Sequence, residues 1–168
     1  MTSESNAFLL RRLLPFVFIF VALQGLWQLG REGPVEYLVV HHLTVQPAVF
    51  LVNVLSPEIH AQALRFTIQA PGGGLNILNG CEGIEAFFLL LAAFAVAPLL
   101  WRVKLWGVAC GLLFVFAINQ ARILLLFYAY RADPTWFDPL HAIVTPVVVV
   151  ILVCLYFYGC LFLVRNNA

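Results

Sequence analysis

Long apolar runs separated by short polar stretches dominate this sequence. A membrane span requires about 20 mainly apolar residues, and four runs reach or approach that length, at 13–29, 84–101, 105–130 and 140–164. With 63% hydrophobic and 10% charged residues among 168, the chain is too apolar to bury these runs in one soluble core. We therefore predict an all-α polytopic membrane protein whose single integral domain covers residues 1–168.

The basic residues indicate how these spans are oriented. The first run ends in QGLWQ (24–28), without a small-x-small cleavage pattern, so it is predicted to be a retained anchor rather than a cleaved signal peptide. Four spans place the basic clusters on one face, which the enrichment of Lys and Arg in cytoplasmic loops makes cytoplasmic. We expect a cytoplasmic N-terminus in the cytoplasmic (inner) membrane, with 30–80 and 131–138 outside. The clusters are Arg11 with Arg12, Arg102 with Lys104, and Arg165.

The segment 30–80 is the least regular part of the pattern. Its stretch 35–55 is apolar enough for a fifth span, but it contains His41, His42 and Pro47, and a fifth span would put basic turns on opposite sides. We expect a broken amphipathic helix in the outer interface of the membrane, although the sequence leaves open whether 35–55 spans it. Next, HAQALRFTIQA alternates partly as a strand does and PGGGLNILNG supplies turn residues, which predicts a small extracytoplasmic hairpin-like cap.

Candidate chemistry begins at the start of the second long run, in LNGCEGIEAFF. Asn79 is a favourable N-cap residue, and Glu82 follows three residues later, which is the spacing of a capping box. This spacing places Cys81 in the first turn of a helix, where free N–H groups and the helix dipole favour a thiolate. The alternative is that Cys81 is a small apolar packing residue.

A charged residue lies inside the third long run, in FAINQARILLLFYAY. Arg122 is about eight residues, or ~12 Å along a helix, from the outer end of its span. A charge at membrane depth is typical of a functional site. Asn119, three residues earlier, lies on the same face of the helix. The alternative is an arginine whose side chain extends to the outer headgroups.

A histidine begins the last run, in DPTWFDPLHAIV. Asp138 as N-cap and Pro139 at the first helical position predict a helix start that puts His141 in its opening turn. A thiol, a guanidinium and an imidazole from three helices are thus expected at the outer end of the bundle. Glu85 lies one turn after Cys81, and the pattern does not decide whether it orients this histidine or hydrogen-bonds the arginine.

The remaining polar and sulfur-containing residues carry weaker signals. Cys110, Cys154 and Cys160 lie inside spans without a CxxC pair and are expected to be packing residues. The histidines of 30–80 do not match a zinc motif, so we expect no metal and no other cofactor. The net charge is +1, and no basic patch is interleaved with aromatic residues, so we expect no nucleic-acid partner.

Cys81 in CEG, the NQAR pattern of Asn119 and Arg122, and His141 at a following helix start resemble the Cys…NxxR…His signature of the exosortase and archaeosortase family of membrane-embedded transpeptidases. The resemblance covers roughly 79–164, and the short chain is most similar to the compact, exosortase H-like branch. It implies a cysteine peptidase that cleaves secreted proteins near a C-terminal sorting signal, made of a short motif, a transmembrane helix and a basic tail. The new C-terminus would pass to an acceptor such as a lipid or a glycan. Larger relatives carry more spans on the N-terminal side.

This resemblance implies a role for each candidate residue. Cys81 is expected to form a thioester with the substrate, and His141 to act as general acid and base. Arg122 is expected to stabilise the oxyanion, and Asn119 to hold the guanidinium in place. The residues expected to support the catalytic three are Asn119, Glu85, Glu82 and Asn79.

Two other functional classes stay open at this point. A membrane thiol acyltransferase acting on lipids would use a similar cysteine and histidine. A non-enzymatic small subunit of a membrane complex would need none of the convergent polar groups, and it would tolerate alanine at Cys81. All three classes share membrane lipids as their surroundings.

Overall fold

The computed structural model describes residues 3–77 and 80–166, which form five helices and one small sheet. The helices are α1 (Ser3–Leu29), α2 (Pro34–Leu55), α3 (Ile84–Val96), α4 (Trp101–Ala132) and α5 (Pro134–Asn166). The strands are β1 (Gln62–Leu64), β2 (Thr67–Gln69) and β3 (Leu75–Asn76). The predicted all-α membrane fold with a small cap is confirmed.

Four of the described helices are long and apolar enough to cross a membrane, and three of them correspond to the predicted spans 13–29, 105–130 and 140–164. The four are α2, α4, α5 and the stretch Leu10–Leu29 of α1. With 13 residues, α3 is about 20 Å long, which is shorter than the roughly 30 Å hydrocarbon core. The predicted span 84–101 is therefore wrong at its C-terminal end. The helix stops there because Pro98 disfavours a helical conformation in the preceding residue, and Ala97 is extended, with ψ 141°.

The reversal between α3 and α4 lies at 97–100 rather than between the predicted runs 84–101 and 105–130, because Trp101 already begins α4. Two basic side chains bind the free carbonyls at the end of α3. Lys104 Nζ donates to the Ala95 carbonyl at 2.7 Å, and Arg12 Nη1 donates to the Val96 carbonyl at 3.2 Å. Cations are favourable at a helix C-terminus. Members of two basic clusters thus meet at one end of the bundle.

Helix α2 is continuous, although we expected a break at Pro47. It is π-helical over Tyr37–Val45 and α-helical from Gln46. Because proline has no N–H, the Leu43 carbonyl, four residues earlier, lacks its α-helical donor. Gln120 of α4 donates to this carbonyl at 3.5 Å and to the next one at 3.4 Å. A neighbouring helix replaces the missing hydrogen bond, and the 22 residues of α2 are long enough to span a membrane.

The three short strands form one antiparallel sheet in the order β1-β2-β3. Asn53 connects α2 to Ala61, the residue before β1. Its side chain accepts from the Ala61 N–H at 2.8 Å and donates to the Ala61 carbonyl at 2.9 Å. Arg131, at the end of α4, donates to the Pro71 carbonyl at 2.8 Å. The sheet therefore lies at the end of α4 opposite to Lys104.

Buried apolar side chains form two clusters along the bundle. The cap cluster joins the sheet, α2 and the second half of α4, and it includes Val45, Val52, Ile68, Ile123, Phe127 and Cys81. The bundle cluster joins α3, α4 and α5, and it comprises Ala86, Leu90, Phe94, Val115, Val149 and Val153. The start of α3 lies between the two clusters.

A Gly-x-x-x-Gly spacing in α4 lets α3 approach closely. A Cβ at Gly107 would collide with the ring of Phe94, and a Cβ at Gly111 would collide with Leu90. Lipid tails are as apolar as the side chains, so the hydrophobic effect does not drive helices together within a membrane. Close van der Waals packing at small residues such as these glycines drives helix association instead. This contact anchors α3, and with it the turn that precedes α3.

Candidate active site

A glycine-bounded turn presents Cys81 just before α3. Gly80 and Gly83 have φ values of +84° and +78°, which glycine adopts without strain. A Cβ at Gly83 would also lie 2.8 Å from the side chain of Asn119. The turn can therefore pack against α4 only with glycine at this position. Cys81 is buried here, with 4% of its surface exposed.

The start of α3 differs from the predicted capping box. The helix begins at Ile84 with Gly83 as its N-cap and without a side-chain cap, so Cys81 lies before the helix rather than in its first turn. Asn79 lies outside the described residues. Glu82 Oε2 is buried and has no hydrogen-bond partner within 3–77 and 80–166. The left-handed Gly83 interrupts the helical path, which is why α3 starts later than the spacing suggested.

His141 of α5 lies against the thiol. Its Nδ1 is 3.4 Å from Cys81 Sγ. The imidazole stacks on the ring of Phe137, with centroids 5.2 Å apart and planes at 7°. His141 belongs to the π-helical turn Leu140–Val144, and such turns occur frequently at functional sites.

The beginning of α5 also differs from the prediction. Asp138 is not the N-cap, because the helix starts with a 3-10 turn, Pro134–Trp136, that Asp133 caps. The Asp133 carboxylate accepts from the Thr135 N–H at 2.9 Å. Asp133-Pro134 and Asp138-Pro139 are both an N-cap residue followed by a proline at the first helical position, and the helix begins at the first of the two. His141 therefore lies beyond the opening turn.

Arg122 of α4 reaches the same place and is 8% exposed. Its Nε donates to Thr145 Oγ1 at 2.9 Å, and its Nη1 donates to the Gly80 carbonyl at 2.8 Å. Its Nη2 lies 3.9 Å from Cys81 Sγ. Two nitrogens of the guanidinium are therefore anchored, and the third faces the thiol.

Asn119 holds the turn rather than the guanidinium, which corrects its expected role. Its Nδ2 donates to the Cys81 carbonyl at 3.0 Å, and the residue is 3% exposed. Arg122 binds the carbonyl of the preceding residue, Gly80. The two residues of the NQAR pattern thus bind consecutive carbonyls and together set the backbone that carries the thiol.

Arg122 and His141 open onto a cavity of about 470 Å³. Glu85 lines the same cavity and its side chain is exposed. Among the hydrogen bonds of the described residues, none joins Glu85 to His141 or to Arg122. Neither of the two roles that the sequence left open for Glu85 is therefore observed.

The surroundings of Cys81 favour the neutral thiol. Burial raises the pKa of Cys81, the Arg122 guanidinium opposes this shift, and the carboxylates of Glu82 and Glu85 add to it. The thiolate that we expected from a helix start is not favoured, because desolvation of the anion outweighs the nearby cation. The thiol thus needs a base for ionisation, and the imidazole nitrogen at 3.4 Å is within reach.

The other candidates lie away from this cluster. Cys110 and Cys154 are exposed on the outer surfaces of their helices, so they do not pack in the core as expected, whereas Cys160 is half-buried. His41 Nδ1 lies 2.6 Å from the Arg65 carbonyl, a contact that joins α2 to the cap. No group of three His, Cys, Asp or Glu side chains is arranged to hold a metal ion in the part of the chain that the structure describes.

Two residues of the site were not singled out from the sequence. Phe137 stacks on the imidazole, and Thr145 accepts from the guanidinium. They lie four residues before and four residues after His141, so the i±4 rule for neighbours on a helix face points to both.

A family model described as transmembrane exosortase (Exosortase_EpsH) matches residues 5–158. The chain belongs to the transmembrane exosortase family. The match spans most of the chain, including the turn with Cys81, the NQAR pattern and His141, and it supports a membrane transpeptidase-like role. No curated protein and no solved structure gives a significant match.

Proposed function

We propose that the protein is a membrane-embedded cysteine transpeptidase that cleaves C-terminal sorting signals of secreted proteins and transfers the new C-terminus to an acceptor. The observation that carries this proposal is the group around one buried thiol. Cys81 Sγ has an imidazole nitrogen of His141 at 3.4 Å and a guanidinium nitrogen of Arg122 at 3.9 Å. A nucleophile with a base and a cation beside it is what acyl transfer through a thioester requires.

Acylation begins with transfer of the Cys81 proton to His141 Nδ1. The sulfur then forms a bond to the scissile carbonyl carbon, and the carbon–nitrogen bond of the peptide breaks. The imidazolium gives its proton to the leaving amine, and a thioester stays on the enzyme. Because burial raises the pKa of the thiol, the nucleophile depends on this base.

Arg122 stabilises the oxyanion of the tetrahedral intermediate. Thr145 and the Gly80 carbonyl already hold the guanidinium in position, so little reorganisation is needed when negative charge develops. A preorganised donor of this kind contributes roughly 3–4 kcal/mol to transition-state stabilisation.

Deacylation needs an acceptor with a hydroxyl or an amine, as lipids and glycans carry. His141 removes the proton of this acceptor while its oxygen or nitrogen bonds to the thioester carbon. The carbon–sulfur bond breaks, the sulfur takes the proton back, and the thiol is restored.

Replacement of Cys81 by serine tests the proposal. Serine is nearly isosteric but has a far higher pKa, so Cys81→Ser should insert and bind substrate but leave the precursor uncleaved. Cys110→Ser, at an exposed cysteine of α4, is the matched control and should process normally. Wild type trapped with substrate should carry an adduct at Cys81 that hydroxylamine releases.

Fully processed substrate in cells that carry only Cys81→Ser would contradict the transpeptidase mechanism. Mass spectrometry of the product then distinguishes the enzyme classes. A shortened protein supports the transpeptidase, whereas an acylated lipid and an intact protein would support the thiol acyltransferase.

We also propose that the Cys81 turn faces the extracytoplasmic side of the cytoplasmic membrane. The reason is that Arg12 and Lys104 gather at the other end of α3, and cytoplasmic ends are enriched in basic residues. In a chain without its native cysteines, an impermeant thiol reagent outside intact cells should label Thr135→Cys but not Leu100→Cys. Both positions are exposed, Leu100 just before α4 and Thr135 in the first turn of α5, just after the other end of α4. Labelling in the reverse pattern would contradict this orientation.

A further inference from the structure

Two cavities lie along the helices α1, α3 and α5, an upper one at the Cys81 end of the bundle and a lower one nearer the basic end. The upper one, of about 470 Å³, contains Arg122 and His141 and is bounded below them by Phe20 of α1, Leu89 of α3 and Val150 of α5. The lower one, of about 400 Å³, extends to the basic end of the bundle. Its walls include Leu13 and Phe16 of α1, Ala93 and Val96 of α3, and Phe157 of α5.

Each of the three helices lines both cavities, and on each helix the lining includes a pair of residues with the same separation. Phe20 and Leu13, Leu89 and Val96, and Val150 and Phe157 are each seven residues apart, or ~10 Å along a helix. Helix α3 packs against both α1 and α5. We call the resulting trough the lateral groove, with α3 as its floor and α1 and α5 as its walls.

The chemistry of the lateral groove changes along its length. The end at Cys81 carries the guanidinium, the imidazole and the carboxylate of Glu85. Below them the lining is apolar, and the floor carries the small residues Ala86, Ala93 and Ala97. Small residues let a second helix approach closely in lipid, so the groove has the shape for an apolar helix that follows a polar, extended segment.

We propose that the lateral groove binds the membrane-spanning helix of the protein substrate. The inference rests on the proposed function and adds where the substrate lies and in which direction it runs. The bond that is cut precedes the substrate helix, so the N-terminal end of that helix lies at Cys81. Since α3 and α5 start at the site and α1 ends beyond it, the substrate helix runs parallel to α3 and α5 and antiparallel to α1.

Parallel helices with the same rise per residue make a register prediction. A substrate position n opposite Val150 implies that position n+7 lies opposite Phe157. The neighbouring positions Ile151 and Tyr158 are exposed but lie about 100° further round α5 and do not line the groove. They are therefore matched controls for Val150 and Phe157.

Disulfide crosslinking tests the register. The probe is the precursor that accumulates with Cys81→Ser, carrying single cysteines along its C-terminal apolar helix. The enzyme carries Cys81→Ser, alanine at its other native cysteines and one of Val150→Cys, Phe157→Cys, Ile151→Cys or Tyr158→Cys. We expect crosslinks at Val150 and Phe157 to substrate positions seven residues apart, in the same N-to-C order, and at least tenfold fewer at the controls. Equal crosslinking at Ile151 and Tyr158, reversed order, or no crosslinks in the groove, as expected if lipid chains fill it, would overturn the proposal.

A groove-filling substitution gives an independent readout. Ala93→Leu should reduce processing at least tenfold while a small thiol reagent still labels Cys81 at the wild-type rate. Gly159→Leu, where a Cβ would meet nothing within 4 Å, should process normally; normal processing by Ala93→Leu would argue against the groove. The two proposals fail separately, because crosslinking does not require cleavage and the dependence of cleavage on Cys81 does not require the groove.

Discussion

The cap cluster and the bundle cluster share helix α4 but are built differently. The bundle cluster rests on the close approach of α3 to Gly107 and Gly111, and none of the residues described for α3 has a buried polar side chain. Around the cap cluster, buried polar side chains are numerous. They are Glu36, His41, Thr44, Asn119, Gln120, Arg122 and Thr145.

The difference in buried polar side chains follows from how regular the backbone is in each region. Near the bundle cluster the chain is regular helix as far as the end of α3 at Val96, so most of its N–H and C=O groups are paired within each helix. Near the cap cluster, Pro47 removes a donor and the turn from Gly80 to Gly83 exposes carbonyls, which Gln120, Asn119 and Arg122 bind. Buried backbone outside regular helix requires such partners. Two of these side chains, Asn119 and Arg122, also position the turn that carries the thiol, so the site occurs where the helices are interrupted.

The largest effect on processing is expected at Arg122, one of the buried polar residues around the cap cluster. An ammonium keeps the charge but lacks the planar fork that binds Thr145, Gly80 and an oxyanion together. Arg122→Lys should therefore reduce processing about 100- to 1000-fold, measured as the rate of precursor shortening. Arg131→Lys, on the same helix but bound to the sheet, is the control and should stay close to wild type. Equal activity of Arg122→Lys and wild type would mean that the guanidinium only anchors the helix.

A smaller effect is expected at Thr145, which touches Arg122 but not the thiol. Thr145→Val removes the oxygen that accepts from Nε and leaves a buried donor unpaired, at a cost of about 1–3 kcal/mol. Processing should fall about tenfold without loss of thermal stability beyond a few degrees. Thr145→Ser keeps the hydroxyl and should restore the rate. If both variants behave alike, the hydroxyl does not position the guanidinium.

The smallest effect on catalysis is expected in the bundle cluster. Leu90 is fully buried against Gly111, and Leu90→Ala should lower the free energy of unfolding by about 2–5 kcal/mol. The molecules that stay folded should process substrate at the wild-type rate, measured per folded enzyme in detergent. Leu113→Ala, at an exposed position of α4, should change neither quantity. A selective loss of turnover in Leu90→Ala would show that the two regions are coupled.

Some features were predictable because they depend on local sequence. Mean apolarity over about 20 residues determines which segments partition into lipid, so the helical membrane fold and the C-terminal end of α1 were accessible. The NQAR pattern is also local, since two residues three apart share a helix face. The C-terminal end of α3 also depends on local sequence, because Pro98 disfavours a helical conformation in the residue before it. Our prediction followed the hydropathy of 84–101 instead and placed the end too late.

The sequence by itself therefore determined that this protein lies in a membrane as a helical bundle, and that Cys81, Arg122 and His141 were the residues to examine. Only the tertiary structure decided what each of them touches. The guanidinium binds Thr145 and Gly80 rather than Asn119, and Cys81 lies before its helix in a turn that packs against α4. The physical reason is that the two kinds of interaction depend on different parts of the chain. Partition into lipid adds up residue by residue along the chain, whereas a hydrogen bond is decided within a few tenths of an ångström by how separate helices pack.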